Sequence, residues 1–355
     1  MIHTKSIGLG VIGINPHNMG STTLLLHGQP DLRYRVVAAC AQREDVLREF
    51  AAGAGIPFAT TDYRELVRRG DVDVVAVYSP DALHAEHCIA ALEAGKHVVC
   101  TKPMVTSLSQ AQAVVNAVRT SGCKFLVGQT MRFDRQFATL RCFWESGQLG
   151  QIMAAEAFYI HDLRPVYGLT PWRLTMPQDF MYGGVTHPVD VLRSFLGNVS
   201  EVHCNASRGL LTPQYPRPNN FFLNLKFENG VIAQVRGLYD VVEPPLPMMQ
   251  IVLYGSKGTA VADFTDNQPG TLRIVLDELP VREPLTMHLE PERDRSAYGH
   301  GASVIRYMRH FQECLDHDQQ PSPDELDGAR AAAVAAAAWE SAEHGTVVKV
   351  QNEFP

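Results

Sequence analysis

Through about residue 128, short runs rich in Val, Ile and Ala alternate with helix-length amphipathic segments. Ser6–Ile12, Tyr34–Cys40, Val72–Tyr78, His97–Cys100 and Lys124–Val127 read as strands; Ser21–His27, Arg43–Ala52, Tyr63–Arg69, Ala82–Ala94 and Ser107–Thr120 read as helices. Repeated strand, helix, strand is the pattern of βαβ units, whose crossovers bury a parallel sheet on both faces. The first part of the chain is therefore a doubly wound, dinucleotide-type α/β domain. Beyond about residue 150 the runs are longer and strand-like: 151–160, 199–207, 220–227, 231–238, 249–254 and 272–276. Asn229-Gly230 is a tight hairpin signal between two of them, and the proline-rich stretches Thr212–Pro218 and Glu243–Pro247 read as loops. A mostly antiparallel sheet carrying helices follows, with terminal helices at Ser303–Asp316 and Pro323–Glu343. A chain of 355 residues is too long for one core, and the change of pattern places the domains at 1–128 and 129–355.

Composition narrows the function. The chain is 45% hydrophobic and 19% charged with a net charge of −7 and no basic run, which argues against nucleic acid as a partner. Its seven cysteines are scattered, with no C-x-x-C pair, and read as reduced thiols of a cytoplasmic protein. No signal-peptide pattern and no run of roughly 20 apolar residues is expected to direct it to a membrane.

Two registers compete for the phosphate-binding turn. Gly8-Leu9-Gly10-Val11-Ile12-Gly13 matches G-x-G-x-x-G literally, but that motif has to follow a strand and open a helix. The residues before Gly8 are too polar for a central strand. With Ser6–Ile12 as the strand, Gly13 and Ile14 begin the turn, Asn15 takes the middle position and Gly20 starts the helix, and this register is preferred. A helix N-terminus there offers unpaired N–H groups and a positive dipole end to a pyrophosphate. The second strand ends in Ala41-Gln42-Arg43 without the carboxylate that binds an adenosine ribose hydroxyl, so with Arg43 adjacent the cofactor leans from NAD toward NADP.

Lys102 is the first catalytic candidate. It ends the apolar run Val98-Val99-Cys100, and Pro103 disfavours helix at the preceding residue, so a buried strand delivers an ammonium to its own carboxyl end.

Lys102-Pro103, Ser79-Pro80-Asp81-Ala82-Leu83-His84, Leu92–His97, Gly128–Phe133, Gly147–Gly150, Gly183–Asp190 and Gly255–Thr259 together resemble the glucose-fructose oxidoreductase/inositol dehydrogenase/MocA family, in the same order and over almost the whole chain. The resemblance implies an N-terminal Rossmann domain and a C-terminal α/β domain with a large open sheet. It also implies a nicotinamide cofactor, and sugar, glycoside or cyclitol substrates oxidised or reduced at a secondary hydroxyl or keto carbon. Ser79, Pro80, His84, Thr101, Lys102 and Gln129 would then serve the cofactor, and Lys102 and His187 would face the nicotinamide. An ammonium beside that cationic ring gives up its proton more readily. Two departures stand out: the family's usual glutamate before the lysine is Thr101, and its usual aspartate four residues before the histidine is Gly183. Either Lys102 and His187 share the proton work, or the Tyr182 hydroxyl replaces the acid. Asp190, one helical turn after His187, would orient the imidazole or bind a substrate hydroxyl. Arg132, Trp172 and Arg173 join them as substrate-side candidates. His161-Asp162 and His84/His87 lack a third ligand at diagnostic spacing, so no metal is expected.

Two rival activities remain on this reading. One is a glycoside-cleaving enzyme that oxidises its sugar transiently with recycled bound NAD; the other is a non-catalytic sugar- or dinucleotide-sensing regulator. An open sheet with an uncovered apolar face, together with the resemblance, implies a homodimer or homotetramer.

Overall fold

The computed structural model describes residues 5–14, 18–170, 172–176, 178–265, 268–277, 284–289 and 301–355. They form two compact units, Met1–Thr130 with Asp294–Ala329 and Phe354–Pro355, and Met131–Arg293 with Arg330–Glu353.

In the first unit, β1 (Ile7–Ile12), β2 (Tyr34–Cys40), β3 (Phe58–Thr60), β4 (Val74–Val77), β5 (His97–Thr101) and β6 (Phe125–Gly128) form one parallel sheet in the order β3-β2-β1-β4-β5-β6. Every residue of β1, β4 and β6 is buried, as apolar strands covered on both faces have to be. The order reverses between β1 and β4, so the loops beyond their carboxyl ends diverge and leave a crevice. β3 escapes sequence reading because three residues cannot display a period.

The segment expected as an ordinary helix at Ser21–His27 is a 3₁₀ helix, Met19–Gly28. Its side chains explain the tighter winding. The hydroxyls of Ser21, Thr22 and Thr23 each donate to the carbonyl three residues back, on Asn18, Met19 and Gly20. Short hydroxyl side chains offer the backbone such local alternatives to α-helical bonding.

The first unit also takes back part of the chain beyond residue 129. The helix Gly301–Asp316 packs on it through Tyr34 Oη, which donates to Met308 O (2.9 Å), and a buried Tyr78–Tyr307 hydroxyl pair at 2.5 Å. A cut at 128/129 thus describes only the first passage of the chain from one unit to the other.

The second unit is built on a nine-stranded sheet. Its strands are β7 (Ile152–Ile160), β8 (Val199–Ser207), β9 (Asn220–Phe227), β10 (Ile232–Leu238), β11 (Met249–Gly255), β12 (Gly258–Phe264), β13 (Gly270–Leu276), β14 (Leu285–Leu289) and β15 (Val348–Lys349). They are ordered β14-β13-β12-β11-β7-β10-β9-β8-β15, antiparallel except for β7 beside β10. Asn229-Gly230 closes the β9–β10 hairpin, with Gly230 at φ +88°. In β9, Phe221, Leu223, Leu225 and Phe227 are buried while Phe222, Asn224 and Lys226 point outward. The outward face also carries Glu156, Gln234, Arg236 and Gln250; Phe222 and Ile232 are exposed large apolar residues on it. It is more polar than the sequence argument for an apolar open face assumed. The helix Thr186–Leu196 packs on β7.

Candidate active site

In the first unit the candidate residues gather at the carboxyl edge of the parallel sheet. Tyr78 N–H donates to Ile12 O and Gly13 N–H to Cys40 O, both at 2.8 Å, so the ends of β4 and β2 hold the turn after β1 from either side. Gly13 sits at φ +86°, and a Cβ there would lie 2.4 Å from Ser79 N. Only glycine takes that dihedral and that approach together. A Cβ on Gly20 would lie 2.5 Å from Gly13 O, and Asn18 Nδ2 donates to the same carbonyl at 2.6 Å. Gly8 and Gly10 instead lie within β1, packed against Asp71 O and Leu66, so the turn begins at Gly13. Ile14 is buried; Asn15 lies outside the described residues.

Glycines packed backbone to backbone at the switch point, followed by a helix N-terminus, fit a dinucleotide pyrophosphate. Ala41, Gln42 and Arg43 follow β2 at the same edge; Arg43 is exposed, 3.2 Å from Asp45.

Ser79 and Pro80 follow β4, and Thr101 ends β5 with Lys102 after it. Gln129 follows β6, 2% exposed, its Oε1 without a partner among the described residues. A buried, unpartnered amide oxygen at this edge is suited to a ligand donor. His84 is different from the rest. Its ring is 1% exposed, and both nitrogens face main-chain carbonyls at 2.7 Å, Nδ1 that of Pro103 and Nε2 that of Ser79. Neither nitrogen is left for a dinucleotide, so the direct cofactor contact read for His84 becomes a contact with the loops. His87, on the same helix (His84–Glu93), has Nδ1 2.8 Å from Ser79 Oγ; burial lowers its pKa to about 4.

In the second unit, His187 stands in the first turn of Thr186–Leu196, directly after a π-helical turn, Met181–Val185. Such wide turns inside a helix occur often at functional sites. Glycines make this one possible. A Cβ on Gly184 would lie 2.4 Å from Tyr239 Oη, and one on Gly183 would lie 2.7 Å from Gln178 Nε2. The Gln178 amide therefore occupies the space that a side chain at 183 would fill, one turn before His187 on the same side. The His187 ring is 1% exposed and meets Tyr159 edge-on, centroids 5.8 Å apart. Tyr159 in turn packs edge-on against Tyr239 at 5.2 Å.

Tyr182 lies in the π turn, where burial and then Asp179 push its pKa up to about 12. At neutral pH that hydroxyl donates a hydrogen bond but does not take up a proton as a phenolate would, which weakens it as a base. Asp190 departs further from expectation. Its two oxygens accept from Arg132, Nε at 2.6 Å and Nη2 at 2.7 Å, with the carboxylate 1% and the guanidinium side chain 11% exposed. A desolvated carboxylate demands such a bidentate partner, and the buried Arg193 guanidinium stands 4.0 Å from the same carboxylate, so the Asp190 charge is answered within the protein. Arg173 Nε donates to Thr170 Oγ1 at 2.9 Å; Trp172 belongs to the short helix Trp172–Thr175, and its side chain lies outside the described residues.

Sequence reading missed Gln178, Tyr159 and Tyr239 entirely. None sits in a motif; the only available signal was the Gly183-Gly184 pair, which says that something else comes close. Among the described residues no group of three His, Cys, Asp or Glu is placed to hold a metal ion, and no helix is long and apolar enough to cross a membrane.

Comparison with known proteins agrees with this architecture. Residues 7–129 match the Gfo/Idh/MocA oxidoreductase family model described as an NAD-binding Rossmann fold, and residues 145–350 match the family's C-terminal alpha/beta domain. The uncharacterized oxidoreductase YrbE of Bacillus subtilis is 26% identical over 359 residues, covering 98% of each chain. Myo-inositol 2-dehydrogenase of Thermotoga maritima is 26% identical over 323 residues, covering 87% of this chain and 89% of its own. Among solved structures, a levoglucosan dehydrogenase in complex with NADH shares the fold with a TM-score of 0.86 at 22% identity, over 98% of this chain and 100% of that one. The glycine turn at the switch point, the strand-end lysine and both family matches lead to one conclusion: the chain belongs to the Gfo/Idh/MocA family of NAD-binding oxidoreductases.

Proposed function

We propose that the protein is an NAD(P)-dependent dehydrogenase or reductase that moves a hydride between nicotinamide and a secondary hydroxyl or keto carbon of a sugar, glycoside or cyclitol. The observation that carries the reading is a lysine beyond the end of β5 on the same sheet edge as the glycine turn of β1. The relatives named for inositol and levoglucosan oxidation support the substrate class.

The nicotinamide, when bound, supplies the hydride acceptor or donor. The chain's own residues handle the proton, which leaves the hydroxyl as the hydride leaves its carbon. Lys102 takes that proton, and His187 serves as the second proton-handling group. Gln178, a neutral amide at the place of a side chain on Gly183, can orient a hydroxyl or the imidazole but cannot carry a proton, and Tyr182 stays a neutral phenol rather than a base. The backbone of Gly13 to Gly20 binds the pyrophosphate; Ala41, Gln42 and Arg43 meet the adenosine ribose, with Arg43 favouring NADP modestly. Ser79, Pro80, Thr101 and Gln129 complete the cofactor side, and Trp172 and Arg173 the substrate side. The first unit thus holds the cofactor, and the second the substrate and the contacts of a cytoplasmic homodimer or homotetramer.

The testing experiment is a panel of sugars, cyclitols and glycosides with NAD and NADP, followed at the nicotinamide absorbance. Stoichiometric reduction with a polyol supports the reading. Cleavage of a glycoside without net absorbance change would replace it with transient oxidation. Binding without turnover across the panel would favour a sensor.

A further inference from the structure

We propose that His84 is the positioning residue for Lys102: its imidazole ties the loop that carries the lysine to the loop beyond β4. The inference rests on Lys102 as the proton-handling group. The ladder between β4 and β5 ends at the pair Val77 and Cys100. Beyond it the two chains separate, Ser79 on one side and Lys102-Pro103 on the other, and the His84 ring spans the gap with Nε2 2.7 Å from Ser79 O and Nδ1 2.7 Å from Pro103 O. Carbonyl oxygens only accept, so both contacts are hydrogen bonds when each ring nitrogen carries a proton; a ring with one bare nitrogen would turn a lone pair on a lone pair.

Three features make this a tie for the lysine rather than general packing. The Lys102 backbone lies between buried Thr101 and the held carbonyl of Pro103, which fixes the point from which its partly buried side chain starts. Pro103 has no N–H to anchor the loop otherwise. His87, three residues along the same helix, fixes Ser79 through its hydroxyl at 2.8 Å, so the far end of the tie is itself held. No amide side chain reproduces it, because one amide nitrogen cannot reach two carbonyls on opposite sides of a ring.

The test uses the whole protein with NADH bound and reads the lysine directly. Reductive ¹³C-dimethylation labels its seven lysines, and the Lys102 resonance is the one lost in Lys102→Arg. In His84→Asn, that resonance is expected to shift and its titration midpoint to move by about half a pH unit or more, while the other lysine signals stay in place. With a turned-over substrate, kcat is expected to fall roughly ten- to a hundredfold, with KM and NADH affinity within about threefold. A folded His84→Asn whose Lys102 resonance and midpoint match wild type overturns the proposal. Should His84→Asn not fold, ¹⁵N-histidine labelling of the wild type decides: two slowly exchanging ring N–H groups on His84 support the tie, and a single one overturns it. If Lys102→Ala keeps full turnover, the acid/base role fails while the resonance still reports whether His84 holds the loop.

Discussion

At the carboxyl edge of the parallel sheet, the groups offered to a ligand are mostly main chain: the turn at Gly13, the start of the 3₁₀ helix at Met19, and the loops after β4 and β5. Around His187 they are side chains drawn from distant segments, with Tyr159 from β7, Gln178 from a loop, and Arg132 paired with Asp190. The first arrangement is fixed by backbone hydrogen bonds and tolerates side-chain change. The second is desolvated and interlocked, so its residues carry stability and chemistry together.

The largest expected effect separates these two designs. Lys102→Ala is expected to lower turnover by roughly two to four orders of magnitude while leaving the melting temperature and NADH affinity close to wild type. Lys102→Arg is expected to recover little, since a guanidinium stays protonated. His187→Ala is expected to lower turnover and stability together. Equal thermal stability of Lys102→Ala and His187→Ala, with equal loss of turnover, would erase the contrast.

Next comes the buried pair. Asp190→Ala leaves the Arg132 guanidinium desolvated without its bidentate acceptor, and is expected to cost about 3–5 kcal/mol in denaturant unfolding. A loss below about 1 kcal/mol would contradict the pair as a source of stability.

A smaller effect is pH-dependent. Burial holds His87 at about 4, so the folded protein resists protonating a ring that the unfolded chain protonates near 6.5. The first unit is expected to keep its full stability above about pH 6.5 and to lose about 2 kcal/mol, after allowing for partial solvent screening, as pH falls toward 4. His87→Gln is expected to flatten that slope, and an unchanged slope in the variant would assign the acid sensitivity elsewhere.

The smallest effect concerns Arg43, already paired with Asp45 and exposed. Arg43→Ala is expected to reduce a several-fold NADP preference to near parity, measured by fluorescence titration. Equal affinities in the wild type would remove the preference.

The same contrast decides what could be read in the sequence. Gly13 and Lys102 were legible because a strand end, a glycine and a proline are local signals that fix local backbone. The literal glycine motif misleads for a physical reason: Gly8 and Gly10 serve close packing of β1 against Asp71 and Leu66. Gly183 could be seen to lack a carboxylate, but not that Gln178 fills the space, because that contact depends on the π turn. Asp190 looked like an orienter of His187 from its helical spacing, whereas its partner Arg132 lies 58 residues away. The return of Gly301–Asp316 to the first unit is carried by Tyr34 and Tyr78, whose partners lie more than two hundred residues on.

Amine rescue of Lys102→Ala tests whether Lys102 carries the proton. With the substrate identified by the panel, turnover of the variant is measured against rising concentrations of methylamine and ethylamine at several pH values. A positioned proton carrier at the end of β5 predicts saturable recovery that follows the free-base form of the amine. Lys102 is not the proton carrier if no amine raises the rate at any pH, or if Lys102→Ala turns over like wild type without one.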